Sequence, residues 1–234
     1  SPVGISFSLV VLTQVGLANY FVPFYAAICG SGVIAAVVIQ FLPPLSYKKN
    51  LYIDGTAPDK NDELVPVGKS SLDYGMELAL KRADQVKSLG SVVKEGVHNA
   101  LDMVLGVLPV VMAIGTLGLV VAEATPLFSI LGAPFVPLLE LLHVPEAAAA
   151  AETMLVGFTD MYVPSIIAAS SVNTDLTKFV VAALSVTQLI FMSETGSVIL
   201  SSKVPINFLE LVMIFLLRTL VTLPIIVGVA HAIF

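Results

Sequence analysis

Long apolar stretches without a single charged residue dominate this sequence. Residues 4–22, 24–43 and 103–122 form three such stretches. Each is close to the ~20 residues that an α-helix needs to cross the hydrocarbon core of a membrane. Backbone in hydrocarbon must satisfy its own hydrogen bonds, and a helix does so within one segment. The sequence therefore predicts an all-α integral membrane protein with five to seven membrane elements.

The composition argues against an ordinary soluble domain. Hydrophobic residues make up 57% of the 234 positions, charged residues only 12%, and the mean hydropathy is +0.96. Soluble domains are about a quarter charged. The three histidines lack the spacing of a zinc site, no phosphate-binding glycine loop occurs, and Cys29 is the one cysteine. We therefore expect no enzyme activity and no organic cofactor.

Basic residues are concentrated in one hydrophilic loop, 44–98. It holds eight of the eleven Lys and Arg residues and eight of the seventeen acidic residues, so the loop is net neutral. The positive-inside rule places it in the cytoplasm, which predicts a multi-pass protein of the bacterial inner membrane. The net charge of −6 belongs to the remaining, membrane-embedded part, which argues against nucleic acid as a partner.

The apolar stretches and this loop divide the chain into four parts. Two transmembrane helices fill 1–43, and the loop 44–98 contains an amphipathic helix at about 71–97, whose apolar residues recur at three and four positions. We expect this helix to lie along the membrane interface, or alternatively to pack on a soluble partner. A further membrane domain covers 99–205, and a C-terminal transmembrane helix covers 206–234.

Glycine and proline interrupt the apolar segments of the 99–205 domain. The stretch 126–142 has only 17 residues and contains Gly132, Pro134 and Pro137, which predicts a broken or re-entrant helix rather than a simple span. Irregular backbone is tolerated at membrane depth only where it is buried in protein or lines a wet cavity. Such interruptions are typical of transporter binding sites.

Five charged residues fall inside apolar stretches: Glu152, Asp160, Glu194, Glu210 and Arg218. A charge at the middle of a membrane costs about 2.5–3.5 kcal/mol on the insertion scale. Three explanations are open for the set: structural ion pairs, shallow positions within reach of headgroups, or binding of a substrate or coupling ion. For Glu210 and Arg218, a structural role with a partner on another helix is favoured, and for Arg218 substrate binding is the alternative.

The sequences around Glu152 and Glu194 combine a carboxylate, hydroxyls and a glycine. Glycine lets a helix unwind and turn carbonyl and amide groups toward a ligand. Carboxylate, hydroxyl and carbonyl oxygens suit Na⁺, a proton or a polar solute, and no other metal is expected. Glu-Thr is followed by Val-Pro in both segments, at offsets that differ by one residue, which raises the hypothesis of an internal repeat. The predicted site comprises Glu152, Thr153, Asp160, Ser193, Glu194 and Thr195.

Three stretches resemble a known family. They are Val107–Val111, Glu152-Thr153 with the run from Gly157 to Pro164, and Ser193–Ser197. In these, over about residues 97–205, the chain is similar to the nucleoside-recognition (Gate) domain group, specifically its YjiH-like bacterial branch. The resemblance implies a fold related to concentrative nucleoside transporters, with re-entrant hairpins, broken helices and an interfacial helix.

What the resemblance implies about function is less specific. Concentrative nucleoside transporters bind nucleoside between hairpin tips and broken helices and move it with Na⁺ or H⁺. This chain is shorter, lacks their fuller set of motifs and contains no Trp. The Gate group also includes iron-transport channel domains and spore-maturation proteins, so the substrate does not carry over.

These observations favour a secondary, ion-coupled transporter, or a half or subunit of one. Its solute would be small and polar, such as a nucleoside or an amino-acid-like compound. The alternatives are a channel or pore, and a structural membrane subunit that anchors a partner. Because the chain has only one set of broken segments, we expect the site to need a second copy or another membrane subunit in addition to lipid.

Overall fold

The computed structural model describes residues 2–48, 70–84, 88–201 and 204–234. Within these ranges the regular secondary structure is entirely helical and no strand occurs. The predicted all-α fold class is thereby confirmed. Two compact units make up the chain, and they are Ser1–Lys49 together with Val110–Phe234, and Asn50–Pro109.

Twelve α-helices and two short 3₁₀ turns are described. In chain order they are α1 (Pro2–Gln14), a turn (Ala18–Tyr20), α2 (Phe21–Ile39), α3 (Leu45–Lys48), α4 (Ser71–Ala83), α5 (Leu89–Ala124), α6 (Leu127–Gly132), a turn (Ala133–Phe135), α7 (Val136–Leu141), α8 (Ala147–Val156), α9 (Val163–Ser171), α10 (Asp175–Thr187), α11 (Thr195–Ser201) and α12 (Phe208–Ile233).

The amphipathic segment predicted at 71–97 is not one helix in the structure. α4 ends at Ala83, and α5 begins at Leu89 and continues to Ala124. The second helix has its own N-terminal cap, because the Ser88 hydroxyl accepts a hydrogen bond from the backbone N–H of Ser91 at 3.2 Å. A serine at this position ends one periodic stretch and starts another, which the apolar spacing alone does not reveal.

Within the described ranges, two helical stretches are long and apolar enough to cross a membrane, Ala18–Ile39 and Phe208–Ile233. Large apolar side chains face outward from both, as Val33 is 67% exposed and Leu209 is 78% exposed. The same helices also bury apolar side chains against the rest of the protein. A helix that is hydrophobic on all sides belongs either in a large core or in a membrane. The two helices therefore support membrane association, whereas five to seven membrane elements stays a prediction.

The core of the larger unit forms where α12 packs against α2 and α10. Phe24 of α2 and Phe179 of α10 are fully buried and meet edge to face, with ring centroids 5.4 Å apart. Such a pair contributes about 0.5–1.5 kcal/mol beyond the burial of its area. Leu223 of α12 is buried in the same cluster. This packing fixes α10 against α12 along its length.

Glu146 joins the start of α8 to the start of α10. Its backbone has φ = +54°, and its carboxylate accepts hydrogen bonds from the amide side chain of Asn173 at 3.0 Å and from the backbone N–H groups of Asn173 and Thr174 at 2.9 and 3.2 Å. These bonds, above all the one from the Asn173 side chain, lower the pKa of the Glu146 carboxyl because they favour its ionised form. Helices α8 and α10, which contact each other, therefore start from one corner.

Candidate functional site

Two helices of the larger unit are interrupted in a similar way. The first interruption separates α8 from α9 and consists of residues 157–162, termed break A. The second separates α10 from α11 and consists of residues 188–194, termed break B. α8 and α10 have 10 and 13 residues and start from the same corner, so the two breaks fall at similar distances from it.

The local sequence accounts for both breaks. Pro164 stands in the first turn of α9, the one part of a helix where a missing N–H leaves no hydrogen bond unmade. In break B, Leu189 has φ = +59°, a left-handed conformation that turns the chain out of α10 and strains a leucine. Gly196 then allows a close approach, since a Cβ there would lie 3.0 Å from the carbonyl oxygen of Phe191.

Break A and break B are joined to each other by hydrogen bonds. The backbone N–H of Met192 donates to the carbonyl oxygen of Phe158 at 2.8 Å, and that of Ser193 donates to Thr159 at 3.0 Å. The Ser193 hydroxyl also donates to Oδ2 of Asp160 at 2.9 Å. The centres of the two interrupted helices therefore form one structural unit.

Two acidic side chains lie near each other where the breaks join. Asp160 is buried, and its Oδ1 accepts a hydrogen bond from the backbone N–H of Tyr162 at 2.7 Å. Glu194 is partly buried and close enough to Asp160 for their charges to repel, and the Tyr162 ring lies near both. Among the described residues, neither acid forms an ion pair with a basic side chain. Asp160, Ser193 and Glu194 are termed the carboxylate cluster.

The remaining predicted site residues lie outside this cluster. Thr153 is buried in α8 and donates to the carbonyl oxygen of Ala150 at 2.8 Å, within its own helix. Glu152, on the same helix, is partly exposed and has no hydrogen bond or ion pair with another residue of the described ranges. Thr195 is exposed at the start of α11. A Na⁺ site between Glu152 and Glu194 stays a prediction.

The two Glu-Thr dipeptides do not occupy matching positions in the interrupted helices. Glu152 lies five residues before Gly157, inside a helix, whereas Glu194 is the last residue of break B. The hypothesis of a repeat aligned on these dipeptides is therefore not supported by the structure. What the two segments share is the interruption itself.

Gln188, the first residue of break B, is not among the site residues that the sequence patterns predict. This fully buried amide donates to the carbonyl oxygen of Met154 at 2.9 Å and to the hydroxyl of Thr219 at 3.0 Å. Thr219 donates its own hydrogen to Phe215, which fixes the orientation of the amide. The Oε1 atom has no partner in the described part of the chain, and it faces Gly157. A neutral amide carries no charge to mark it, although its place before four apolar residues is a signal.

Arg218 and Glu210 of α12 each contact a residue far away in the sequence. The Arg218 guanidinium donates from two nitrogens to the carbonyl oxygen of Thr187, at 3.2 and 2.9 Å. Glu210 forms an ion pair with Lys48 at 2.7 Å and accepts the backbone N–H of Asn207 at 2.8 Å. Lys48 also donates to the carbonyl oxygen of Pro205. Arg218 therefore holds the end of α10, and Glu210 holds the start of α12.

Metal binding of the zinc type finds no support in the described ranges, where no group of three or more His, Cys, Asp or Glu side chains is placed to hold an ion. The carboxylate cluster has two carboxylates and one hydroxyl, with backbone carbonyls in both breaks. Oxygen ligands of this kind suit a proton or a weakly held hard cation.

Comparison with known proteins gives one informative relationship. The chain is 47% identical, over all 234 of its residues, to an uncharacterized protein of Alkalihalophilus pseudofirmus. It spans about half the length of that relative, 50%. No family model matches the sequence, and no solved structure matches it.

Proposed function

We propose that this chain is the membrane-embedded part of an ion-coupled transporter of the bacterial inner membrane. In this proposal the carboxylate cluster binds the coupling cation, Na⁺ or H⁺. The observation that carries it is the meeting of two interrupted helices at a pair of acidic side chains. Interrupted helices that place polar groups at membrane depth are the usual architecture of a transport site.

The surface of the larger unit supports its place in a membrane. Apolar side chains face outward from α1, α2 and α12 as well as inward. The interrupted stretch α6–α7 is compatible with a re-entrant element, because its two short helices have 6 residues each and pack on α8. In this proposal the protein has five to seven membrane elements, with the basic loop in the cytoplasm.

The electrostatics of the carboxylate cluster support a cation as its ligand. Two like charges brought together out of bulk water destabilise each other, so uptake of a proton or a cation relieves their repulsion. The Ser193 hydroxyl, bonded to Asp160, supplies a further oxygen at the same place. The solute in this proposal is a small polar compound, such as a nucleoside or an amino-acid-like molecule.

The length of the relative supports a two-part protein. The chain covers half of that protein, and its described residues contain one such pair of breaks. We propose that the transport site is completed by a second half, a second copy or another membrane subunit. Lipid surrounds the assembly in this arrangement.

Uptake into liposomes tests the proposal. The purified protein is reconstituted, and uptake of radiolabelled nucleosides and amino acids is followed under imposed Na⁺ or H⁺ gradients. We expect uptake that depends on one of the two gradients, that is abolished by Glu194→Gln and Asp160→Asn, and that survives Glu140→Gln, which neutralises an exposed acid outside the cluster. Normal coupled uptake by Glu194→Gln would refute the site, and flux that ignores every gradient would indicate a channel instead.

A further inference from the structure

Arg218 lies near the middle of α12. It is ten residues after Phe208 and fifteen before Ile233, so about 15 Å and 22 Å of helix separate it from the two ends. Its neighbours one turn away, Ile214 and Thr222, are buried, so the side chain leaves the helix on its packed face. An arginine at this depth cannot extend to either end of the helix. It is a permanent charge on a partly buried side chain.

The guanidinium of Arg218 uses only part of its hydrogen-bonding capacity. It has five N–H donors, and the contacts to Thr187 go to a single carbonyl oxygen. No carboxylate among the described residues pairs with it. Arg218 is partly buried, and a cation that is even partly withdrawn from water is costly without a counter-ion; within a membrane such a charge marks a functional site by default.

We propose that Arg218 binds the carboxylate group of the transported solute. This inference rests on the proposed transport function, because it names the class of solute. The planar guanidinium fork matches a carboxylate through two parallel hydrogen bonds. A single positive charge is neutralised by one carboxylate, whereas a phosphate dianion would leave one negative charge uncompensated beside it.

The position of Arg218 relative to the carboxylate cluster fits a solute bound together with a cation. Six residues separate Thr187, which Arg218 contacts, from Ser193 in the cluster. Even a fully extended chain of that length spans only about 20 Å. The Arg218 guanidinium therefore lies beside the residue that precedes break B, and the bond from Ser193 to Asp160 lies near the end of break B.

The simpler explanation is that Arg218 only caps α10. A positive charge at the C-terminal end of a helix is stabilising, and the bonds to Thr187 serve this purpose. A cap alone would not respond to added anions. A binding site would, because a ligand that binds the folded protein raises its apparent stability.

Chemical protection tests the inference on the unmodified protein. Arg218 and Arg82 are the two arginines of the chain, so phenylglyoxal labelling read by mass spectrometry reports on each separately. The probes are the sodium salts of acetate, lactate and glycine. Acetamide, lactamide and glycinamide are controls that lack the carboxylate, and sodium phosphate is the control for a different anion. We expect the carboxylates to slow labelling of Arg218 at least about threefold and to leave Arg82 unchanged, with the amides inactive. Equal labelling rates with and without carboxylate would overturn the inference.

Thermal unfolding in detergent gives the second measurement. Carboxylates should raise the unfolding temperature of the wild type and of Lys48→Gln, which removes a cation that already has a partner. Arg218→Lys keeps the charge and should raise the half-saturating concentration about tenfold or more, because the fork is lost. A carboxylate response that is unchanged in Arg218→Lys would contradict the inference. If uptake depends on a cation but carboxylates neither protect Arg218 nor raise the unfolding temperature, only the assignment of Arg218 is refuted. If carboxylates protect Arg218 but Glu194→Gln takes up solute normally, only the cation site is refuted.

Discussion

Gly157 tests the contact between break A and the buried amide of Gln188. Its backbone is helical, with φ = −55°, so alanine is conformationally allowed and would ordinarily stabilise the protein by about 0.4–1 kcal/mol. A Cβ at this position would instead overlap Oε1 of Gln188 and lie 3.2 Å from the carbonyl oxygen of Met154. The amide is fully buried and held by two hydrogen bonds, so it cannot move without losing them.

The change in the free energy of unfolding follows from the hydrogen bonds that Gln188 loses and from the stabilisation that alanine otherwise provides. Each lost hydrogen bond costs about 0.5–1.5 kcal/mol, and the gain from alanine offsets part of it. We therefore expect Gly157→Ala to lower the free energy of unfolding by about 1–2 kcal/mol. The assay is a titration with sodium dodecyl sulfate in mixed micelles, followed by far-ultraviolet circular dichroism because the chain has no Trp.

Two controls make this prediction specific. Gly228→Ala changes a glycine of α12 whose Cβ would meet nothing within 4 Å, and it should stabilise by about 0.5–1 kcal/mol. In a Gln188→Ala background the obstruction is gone, so Gly157→Ala should no longer destabilise. A stabilising effect of Gly157→Ala in the wild type, or the same loss with and without Gln188, would refute the reasoning.

Three further predictions concern other contacts. The Glu146 carboxyl has a pKa lowered from 4.5, so its contribution to stability is fully present above pH 4.5 and is lost as the pH falls through the lowered pKa. An acid titration of the free energy of unfolding should therefore show a loss of stability below pH 4.5 that Glu146→Gln lacks. Lys48→Met breaks a partly exposed ion pair with Glu210 and should cost only about 0–1 kcal/mol in the same detergent titration, and a larger loss would mean that the pair is better shielded than its exposure indicates. Gly132→Ala places a Cβ 2.8 Å from a backbone oxygen of α8, which cannot move aside as a side chain can, so we expect the free energy of unfolding to fall by about 1–3 kcal/mol. An unchanged midpoint of the detergent titration would contradict the close packing of α6 on α8.

Residue chemistry predicted where the helices are interrupted but not which polar groups meet there. Glycine and proline around Gly157 and Pro164 indicated a broken helix, and the structure has one at 157–162. The sequence placed Glu152 and Asp160 in the same site because both acids, with hydroxyls, flank Gly157 in one interrupted apolar stretch. A helix that ends between them separates their side chains, since break A carries Asp160 toward break B while Glu152 stays on α8.

Long-range partners were beyond the reach of sequence patterns. The ion pair of Lys48 with Glu210 joins residues 162 positions apart, and the contact of Gln188 with Thr219 joins residues 31 positions apart. Periodicity describes one face of one helix, so it cannot show which faces of different helices pack together. Gln188 is also hard to recognise in the sequence as a buried polar residue, because its amide is neutral and stands beside a run of apolar residues.

The hydrogen bonds between break A and break B have a consequence for exchanging segments with the half-identical relative. Break A accepts hydrogen bonds from Met192 and Ser193 of break B, at Phe158, Thr159 and Asp160. The conformation of each segment therefore depends on the other. A chimera that takes only residues 157–162 from the relative combines the relative's break A with the break B of this chain. Importing 188–194 in the same exchange keeps the pairing intact. For recombination, these thirteen positions should be exchanged together, although twenty-five residues of the chain lie between the two segments.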